Sequence, residues 1–272
     1  MFLLPRSQYF KVKPLFKSFH HQIIIHSVLE GNTSGDIFVD DINDPKSVVL
    51  YGINFEVLVA GETQNKEFNK KLYQLIINEF LPNIRKKGLP IINLYYDSEQ
   101  WKQVLELEII DQIESTTVNK RFYTLDETKG FQSQKPLQDN AAIKPVNEQL
   151  LRDSSLKNLD LVTQWIHVAW PSVDHFLNKG IGYCVVESDT IASWCLSLFA
   201  TNNQCELGLM TDEAYRKKGY AKAVALACVN FCVDHNKKPV WNCDDENTGS
   251  ILVAESVRLQ KVLNYNVFQL KA

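Results

Sequence analysis

The chain has 272 residues, of which 45% are hydrophobic and 22% are charged, and its formal net charge is −3. This composition is typical of one large or two small globular domains, and it excludes an intrinsically disordered chain. A slightly acidic total charge argues against the basic surface that nucleic acid binding requires. No apolar run approaches the ~20 residues of a membrane-spanning helix, so we expect no membrane partner.

The first residues and the positions of the cysteines both bear on the cellular compartment of the protein. The first residues are apolar but are interrupted by Pro5, and Arg6 follows. This order is not that of a signal peptide, so a cytoplasmic protein is predicted. The six cysteines all fall between positions 184 and 243, mostly in apolar runs, which favours reduced thiols over a disulfide framework.

The first part of the chain alternates short apolar strands with amphipathic helices, which predicts a small α/β domain over residues 1–127. His20, His21 and His26 resemble a metal cluster at first sight. In an extended strand, however, His21 points to the opposite face from the other two, so no metal site is predicted there. Strands are predicted at residues 47–51, 55–61, 89–96 and 121–125, and helices at residues 67–84 and from Ser98 onward.

Residues 128–145 are polar and contain Gly130, Pro136 and Pro145. Such composition is typical of linkers, so we expect a boundary between two domains here. No internal repeat is visible in the sequence.

Residues 146–272 predict a second α/β domain built on a mixed sheet. Three closely spaced strands at residues 182–187, 191–199 and 205–210 indicate an antiparallel meander. A long apolar helix over residues 218–235 separates them from a strand at residues 239–243. Because that strand is reached across a helix, it is predicted to run parallel to the third strand of the meander.

The segment between the third strand and the long helix predicts a phosphate-binding site. Arg216, Lys217 and Lys218 place three cations immediately before Gly219. A helix N-terminus offers backbone N–H groups without intrahelical partners, and a glycine lets a phosphate approach the backbone. The alternative is an ordinary solvated helix start.

The same residues resemble a known family. Residues 216–221 match the signature of the GCN5-related N-acetyltransferases (GNAT): Gln or Arg, two residues, Gly, one residue, then Gly or Ala. The flanking strands and helices also follow the order found in that family. The chain is most similar to the zwittermicin-resistance-type GNAT acetyltransferases, clearly over residues 145–272 and more weakly before. That likeness rests on Gly180-Ile-Gly-Tyr-Cys184, Pro239-Val-Trp-Asn-Cys243 and Ser250-Ile-Leu-Val-Ala-Glu255.

The resemblance implies a C-terminal GNAT fold preceded by a smaller α/β domain, with domains at 1–127 and 146–272. It also implies transfer of an acetyl group from acetyl-CoA to a primary amine of a small molecule, by direct attack in a ternary complex and without a metal. Oligomeric state stays open, and a homodimer is one possibility. The implied cofactor-binding residues are Leu209 and Met210 at the thioester, Arg216, Lys217, Lys218, Gly219, Tyr220 and Ala221 at the pyrophosphate, and Asn247 and Ser250 at the cofactor arm.

The catalytic residues are less well defined by the resemblance. Glu206 is the implied general base, and Tyr265 is a candidate proton donor. Many GNAT enzymes carry a tyrosine where this chain has Ala254, and Arg258 replaces a family glycine. A second hypothesis is therefore a non-catalytic acyl-CoA-binding sensor or interaction protein on the same scaffold. Asn247 and Ser250 have the further alternative of being only a helix cap and its first turn.

Overall fold

A computed structural model describes residues 1–53, 56–126, 128, 133–134, 136–138 and 140–272. The chain forms two compact units. The N-terminal unit comprises Met1–Asn119 and Tyr265–Ala272, and the C-terminal unit comprises Lys120–Asn264. In these described ranges, no helix is both long and apolar enough to cross a membrane.

The N-terminal unit is an α/β unit in which helical segments flank a mixed sheet. Strands β2, β3 and β4 form an antiparallel meander, β5 runs parallel to β4, and the end of β12 pairs antiparallel to β5. Its elements are β1 (Phe2–Leu3), a 3₁₀ segment (Arg6–Phe19), α1 (Ile23–Leu29), β2 (Gly35–Val39), β3 (Ser47–Gly52), β4 (Glu56–Gly61), α2 (Lys66–Leu75), a π-helical turn (Ile76–Phe80), α3 (Leu81–Lys86), β5 (Ile91–Tyr96), α4 (Glu99–Glu108) and a 3₁₀ turn (Ile110–Gln112).

Local sequence signals explain the helix starts in this unit. The side chains of Asn65 and Ser98 cap α2 and α4 by accepting hydrogen bonds from the backbone N–H groups of Phe68 and Trp101. The indole N–H of Trp101 donates to the carbonyl of Gly61 at 2.8 Å, which joins α4 to the end of β4.

The C-terminal unit contains a mixed sheet with strands in the order β6–β11–β10–β9–β8–β7. As predicted, β8, β9 and β10 form the antiparallel meander, and β11 runs parallel to β10. Its elements are β6 (Ser115–Leu125), β7 (Ala141–Pro145), α5 (Glu148–Leu151), α6 (Leu159–Ala169), α7 (Val173–Lys179), β8 (Gly182–Glu187), β9 (Thr190–Ala200), β10 (Gln204–Thr211), a 3₁₀ turn (Glu213–Tyr215), α8 (Tyr220–Asp234), β11 (Lys238–Asp244), α9 (Thr248–Ser256) and β12 (Leu259–Lys271). Strands β6 and β12 each have residues in both units.

Helices α6 and α8 cover opposite faces of this sheet. The Trp194 ring of β9 contacts Trp165 of α6, whereas the side chain of the next residue, Cys195, contacts Cys228 of α8. Neighbouring strand residues point to opposite faces, so the two helices lie on different sides. Burial of the apolar face of α8 against β8, β9 and β10 explains why this helix forms in a nearly uncharged sequence.

Both units show the same order of elements, although no repeat is visible in the sequence. Each has an antiparallel meander, a helical crossover, a parallel fourth strand and an antiparallel fifth strand. The fifth strand comes from the other part of the chain in both cases. Residues 120–124 of β6 pair with β11, and residues 268–271 of β12 pair with β5.

The compact units differ from the predicted domains at their borders. The N-terminal unit ends at Asn119 and not at residue 127, and it regains Tyr265–Ala272 from the end of the chain. The predicted linker at residues 128–145 ends in a strand, because Ala141–Pro145 pairs with β8. Gly130 and the strand start at Phe55 lie outside the described residues. Independent folding of domains 1–127 and 146–272 stays a prediction.

Candidate active site

Strands β10 and β11 separate in the middle of the C-terminal sheet. Their parallel pairing runs from Gln204–Lys238 to Glu206–Val240. Beyond these pairs, β10 continues to Thr211 along β9, and β11 continues to Asp244 along β6. The facing edges of the two strands therefore diverge, and they leave an opening where a sheet would ordinarily continue.

The opening between β10 and β11 is part of a cavity of about 770 Å³. Its volume lies in the range of small-molecule binding sites. Lining residues come from β10 and β11, from β6 and β9 beside them, from the loop before α8 and the first residues of α8, and from α9 and α6. They are Lys120, Trp165, Leu198, Leu207, Gly208, Leu209, Met210, Thr211, Tyr215, Arg216, Lys217, Gly219, Tyr220, Ala221, Trp241, Asn242, Cys243, Asp244, Asn247, Gly249, Ser250 and Val253.

Strand alternation assigns a direction to the backbone groups of β10. The N–H of Asp212 donates to Ala192 of β9 at 3.0 Å, and the Met210 carbonyl accepts a hydrogen bond from Ser193 of the same strand. Peptide groups of successive strand residues point to opposite sides. The N–H groups of Leu209 and Thr211 are therefore directed toward the opening.

The loop before α8 has an unusual backbone. Lys217 and Gly219 both have positive φ angles, 64° and 81°. Gly219 is the N-cap of α8, and no side chain caps this helix. A Cβ atom added at Gly219 would meet no atom within 4 Å, so open space lies beside its backbone. This geometry leaves the first N–H groups of α8 directed at a volume that a phosphate can enter.

The three cations of this loop have different surroundings. Arg216 Nη1 lies 3.1 Å from Glu213 Oε1 in an exposed pair, and Lys217 lines the cavity. Lys218 instead turns to Glu187 of β8, with Nζ 2.9 Å and 3.0 Å from its two carboxylate oxygens. Lys218 is not among the residues that line the cavity, and its charge is paired with Glu187.

Glu187 holds a second residue of the loop. The Tyr220 hydroxyl donates to Glu187 Oε2 at 2.5 Å, and the Tyr220 side chain is buried. Burial, followed by the proximity of Glu187, raises the pKa of the Tyr220 phenol to about 12. Hydrogen bonds from Tyr220 and then Lys218 lower the pKa of Glu187 below its ordinary value. We call Glu187, Lys218 and Tyr220 the loop clamp.

We expect Glu187→Gln to weaken acetyl-CoA binding about tenfold, because the clamp holds a loop in which Lys217 adopts a strained left-handed conformation. The carboxylate pKa is lowered, so the clamp is fully formed above the ordinary glutamate range and is lost only as pH falls through the lowered value. The measurement is calorimetric titration at pH 7.5.

Asp189→Asn is the matched control for this variant. Asp189 lies two residues after Glu187 and pairs with exposed Lys157 at 2.9 Å, outside the loop. It should leave the affinity unchanged. Equal binding by Glu187→Gln would show that the affinity does not depend on the clamp. Tighter binding would mean that freed Lys218 serves the phosphate better, and either result would contradict the expected role.

Asn247 and Ser250 both line the cavity, and both also have structural roles. Asn247 Oδ1 accepts a hydrogen bond from the Ser250 backbone N–H at 3.0 Å, so Asn247 caps α9. The indole N–H of Trp241 donates to Ser250 Oγ at 2.9 Å. Ser250 thus fixes the orientation of Trp241, which also lines the cavity. The capping role of Asn247 does not prevent Asn247 or Ser250 from contacting a ligand as well.

Glu206 lies where the two strands begin to separate. It is the last β10 residue paired with β11, its partner on β9 is Phe199, and it is only 8% exposed. The register of the β9–β10 pair shifts directly after it, leaving Leu198 without a partner on β10. Glu206 thus directly precedes the β10 residues that line the cavity.

Tyr265 belongs to the N-terminal unit. Its ring contacts those of His21 and Tyr95, with centroid distances of 4.5 Å and 6.4 Å. Its role as a proton donor stays a prediction. Cys243 lines the cavity, but burial raises the pKa of its thiol, which disfavours the thiolate form that a nucleophile requires.

Sequence reasoning missed three residues that shape this site. Trp165 lines the cavity from α6, Glu187 holds the loop from β8, and Lys120 reaches the cavity edge from β6, where Nζ lies 2.6 Å from Asp244. All three are distant in sequence from residues 206–250. Strand pairing brings Glu187 and Lys120 there, and the packing of α6 on the sheet brings Trp165, so no local motif could have indicated them.

The N-terminal unit lacks this opening among its described residues. Its parallel strands β4 and β5 stay paired from Glu56–Asn93 to Val59–Tyr96. Directly after them, the Gly61 N–H donates to Asp97 Oδ2 at 3.0 Å. The ends of β4 and β5 are thus joined by a hydrogen bond between Gly61 and Asp97, although the order of elements is the same in the two units.

Comparison with known proteins identifies a matching family and a sequence relative. The sequence pattern of the family described as GNAT acetyltransferase matches residues 13–268, and so includes most of the N-terminal unit. A Bacillus subtilis protein named uncharacterized N-acetyltransferase YdfB is 25% identical over 265 residues, which is 97% of each chain.

Solved structures share the fold at lower identity. A GCN5-related N-acetyltransferase-like protein from Streptococcus suis is 22% identical, with a TM-score of 0.68 over 97% of this chain and 98% of its own. A tandem GNAT protein from the clavulanic acid biosynthesis pathway is 8% identical, with a TM-score of 0.59 over 99% and 97%. The family in general uses acetyl-CoA. With its family pattern spanning nearly the whole sequence, the chain belongs to the GNAT acetyltransferase family and is an acyltransferase.

Proposed function

We propose that this protein transfers the acetyl group of acetyl-CoA to the primary amine of a small molecule, by direct attack within a ternary complex. The observation that carries the proposal is the opening between β10 and β11, which leads to the uncapped start of α8 at Gly219. A long cosubstrate with a phosphate at one end and a thioester at the other fits such a cleft.

The phosphate end is supported by the loop geometry. The open space beside Gly219, the positive φ of Lys217 and the place of Lys217 in the cavity lining suit a pyrophosphate. The backbone amides of residues 216–221 would bind it, with Arg216 adding charge from the rim. Asn247 and Ser250 would contact the cofactor arm.

The thioester end is supported by the separated edge of β10. Bound acetyl-CoA supplies an activated acyl carbon and a leaving thiolate. In the transfer, a C–N bond forms as the C–S bond breaks, the amine loses a proton, and the thiolate accepts one. The Leu209 N–H, directed toward the opening, would donate to the oxygen that gains charge, and Met210 would line the thioester. The thiolate requires little acid assistance because an ordinary thiol pKa is about 8.5.

The amine must lose its proton before it attacks, which requires a base. Because alternate residues of a strand point to the same face, Glu206 shares a sheet face with Gly208 and Met210 of β10. Glu206 directly precedes the β10 residues that line the cavity and is not itself among them, so we propose that its carboxylate takes the proton through one water molecule. The name N-acetyltransferase carried by YdfB agrees with an amine acceptor.

A non-catalytic acyl-CoA sensor is the second candidate, and one observation favours it. Ala254, where many relatives carry a tyrosine, is fully buried in the core, so it leaves no space there for a hydroxyl donor. Such a protein would bind acetyl-CoA through the same loop but would not transfer the acetyl group.

Two measurements on the purified chain test the proposal. Calorimetry with acetyl-CoA measures binding, and a thiol-reactive dye measures coenzyme A release in the presence of a panel of primary amines. We expect saturable binding and amine-dependent thiol release that exceeds hydrolysis. Binding without such release would favour the sensor, and absence of binding would overturn both candidates.

A further inference from the structure

We infer that the acceptor is a monoamine attached to a flat apolar group, such as an arylalkylamine, and not a polyamine. This inference rests on the proposed function, because it concerns the acceptor side of the same cavity. It is carried by an apolar wall formed by Trp165, Leu198 and Met210, and by the pairing of the acidic lining residue Asp244 with Lys120.

The wall lies on the sheet face that carries Glu206. In β10, Glu206, Gly208 and Met210 alternate onto one face, and the register with Trp194 places Met210 on the side of α6. Trp165 is the residue of α6 that lines the cavity. An acceptor that enters on this face meets the wall before its amine reaches the neighbourhood of Glu206.

Trp165 and Leu198 of the wall are fixed by packing against neighbours, and Met210 is partly exposed. The Trp165 ring packs edge-on against buried Trp194, with centroids 6.0 Å apart and planes at 89°. Leu198 covers Gly208 so closely that an added Cβ there would lie 2.6 Å from Leu198 Cδ1. Met210 is 43% exposed, so its side chain is accessible to a ligand. A fixed aromatic ring and an adaptable thioether are suited to contact a planar apolar group.

The apolar surface continues along α6 beyond the cavity. Leu161 and Val168 are 37% and 45% exposed. They lie four residues before and three residues after Trp165, so the three side chains share one helix face. Contiguous exposed apolar surface beside a cavity is typical of a ligand-binding surface.

The charged residues of the cavity disfavour a second cationic group. Among the lining residues that the structure describes, Asp244 is the acidic one, and Lys120 neutralises it at a distance of 2.6 Å. A polyamine would bring further ammonium groups into a site without a spare carboxylate at its wall, whereas a monoamine loses its only charge before it reacts.

The test compares 2-phenylethylamine with 1,4-diaminobutane at saturating acetyl-CoA. We expect kcat/KM to be at least about tenfold higher for the aromatic amine. Trp165→Leu should remove most of this preference through a higher KM for 2-phenylethylamine, while the Kd of acetyl-CoA stays unchanged. His167→Ala, an exposed position on the same helix outside the wall, is the control and should keep the preference.

A second variant protects the test if Trp165→Leu fails to fold. Met210→Gln keeps the side-chain length at a half-exposed position and should also raise the KM for the aromatic amine. Preference for the diamine, or an unchanged ratio in both variants, would overturn the inference while leaving acetyl transfer intact. If acetyl-CoA binds and no amine releases coenzyme A, the proposed function fails and the inference fails with it.

Discussion

Replacing Gly219 with aspartate is expected to abolish acetyl-CoA binding, with at least about a hundredfold loss of affinity. The side chain would enter the open volume beside the α8 start, where it would place a carboxylate in the space proposed for the pyrophosphate. At 3–4 Å, two like charges repel by several kcal/mol at the dielectric of a protein surface, about 4 kcal/mol by Coulomb's law. The measurement is calorimetric titration of the purified variant.

Gly219→Asn is the matched control for this prediction. Both substitutions place a similar side chain at a φ of 81°, and both residue types tolerate the left-handed region better than others. Steric and backbone effects are therefore shared, and the charge is the difference between them. Asparagine should retain much of the affinity and should match aspartate in thermal stability. Equal losses in both variants would mean that space, not charge, governs the loop, and unchanged affinity in both would place the phosphate elsewhere.

The sequence predicted the C-terminal unit well because its signals are local. The spacing of β8, β9 and β10 and the glycine before α8 each act within a few residues, and the structure contains the corresponding strands and helix. The separation of β10 from β11 could be expected only through the family resemblance. No residue in either strand forbids continued pairing, so the opening depends on how the whole sheet is arranged.

Long-range pairing explains what the sequence did not indicate. Strand β12 contributes its end to the N-terminal unit, and β6 contributes Lys120 to the cavity. A strand's apolar pattern specifies that it has a buried face but not which partner it joins. The same limit applies to Glu187 and Trp165, whose side chains are ordinary surface or core residues in sequence. The role of Glu187 follows from its hydrogen bond with Tyr220, and the role of Trp165 follows from its place with Met210 in the lining of one cavity.

Glu206→Gln is expected to lower kcat by about 10²- to 10³-fold, because an amide cannot accept the amine proton. The two side chains have the same shape, and position 206 is buried at the end of strand pairing, so the sheet should be retained. In the variant, turnover should depend on the fraction of acceptor that is already neutral. The pH–rate profile should therefore move upward toward the pKa of the free amine, while the Kd of acetyl-CoA stays unchanged.

Glu246→Gln, at an exposed position in the turn before α9, provides the control with the same chemical change and should have wild-type kinetics. The shape of the profile distinguishes a base from a structural carboxylate. A structural role would lower activity by a similar factor at every pH and would reduce thermal stability. A base would lose most activity where the amine is protonated and would recover as the medium removes that proton. A parallel decrease across the whole pH range would exclude Glu206 from proton transfer and leave water alone to carry the proton.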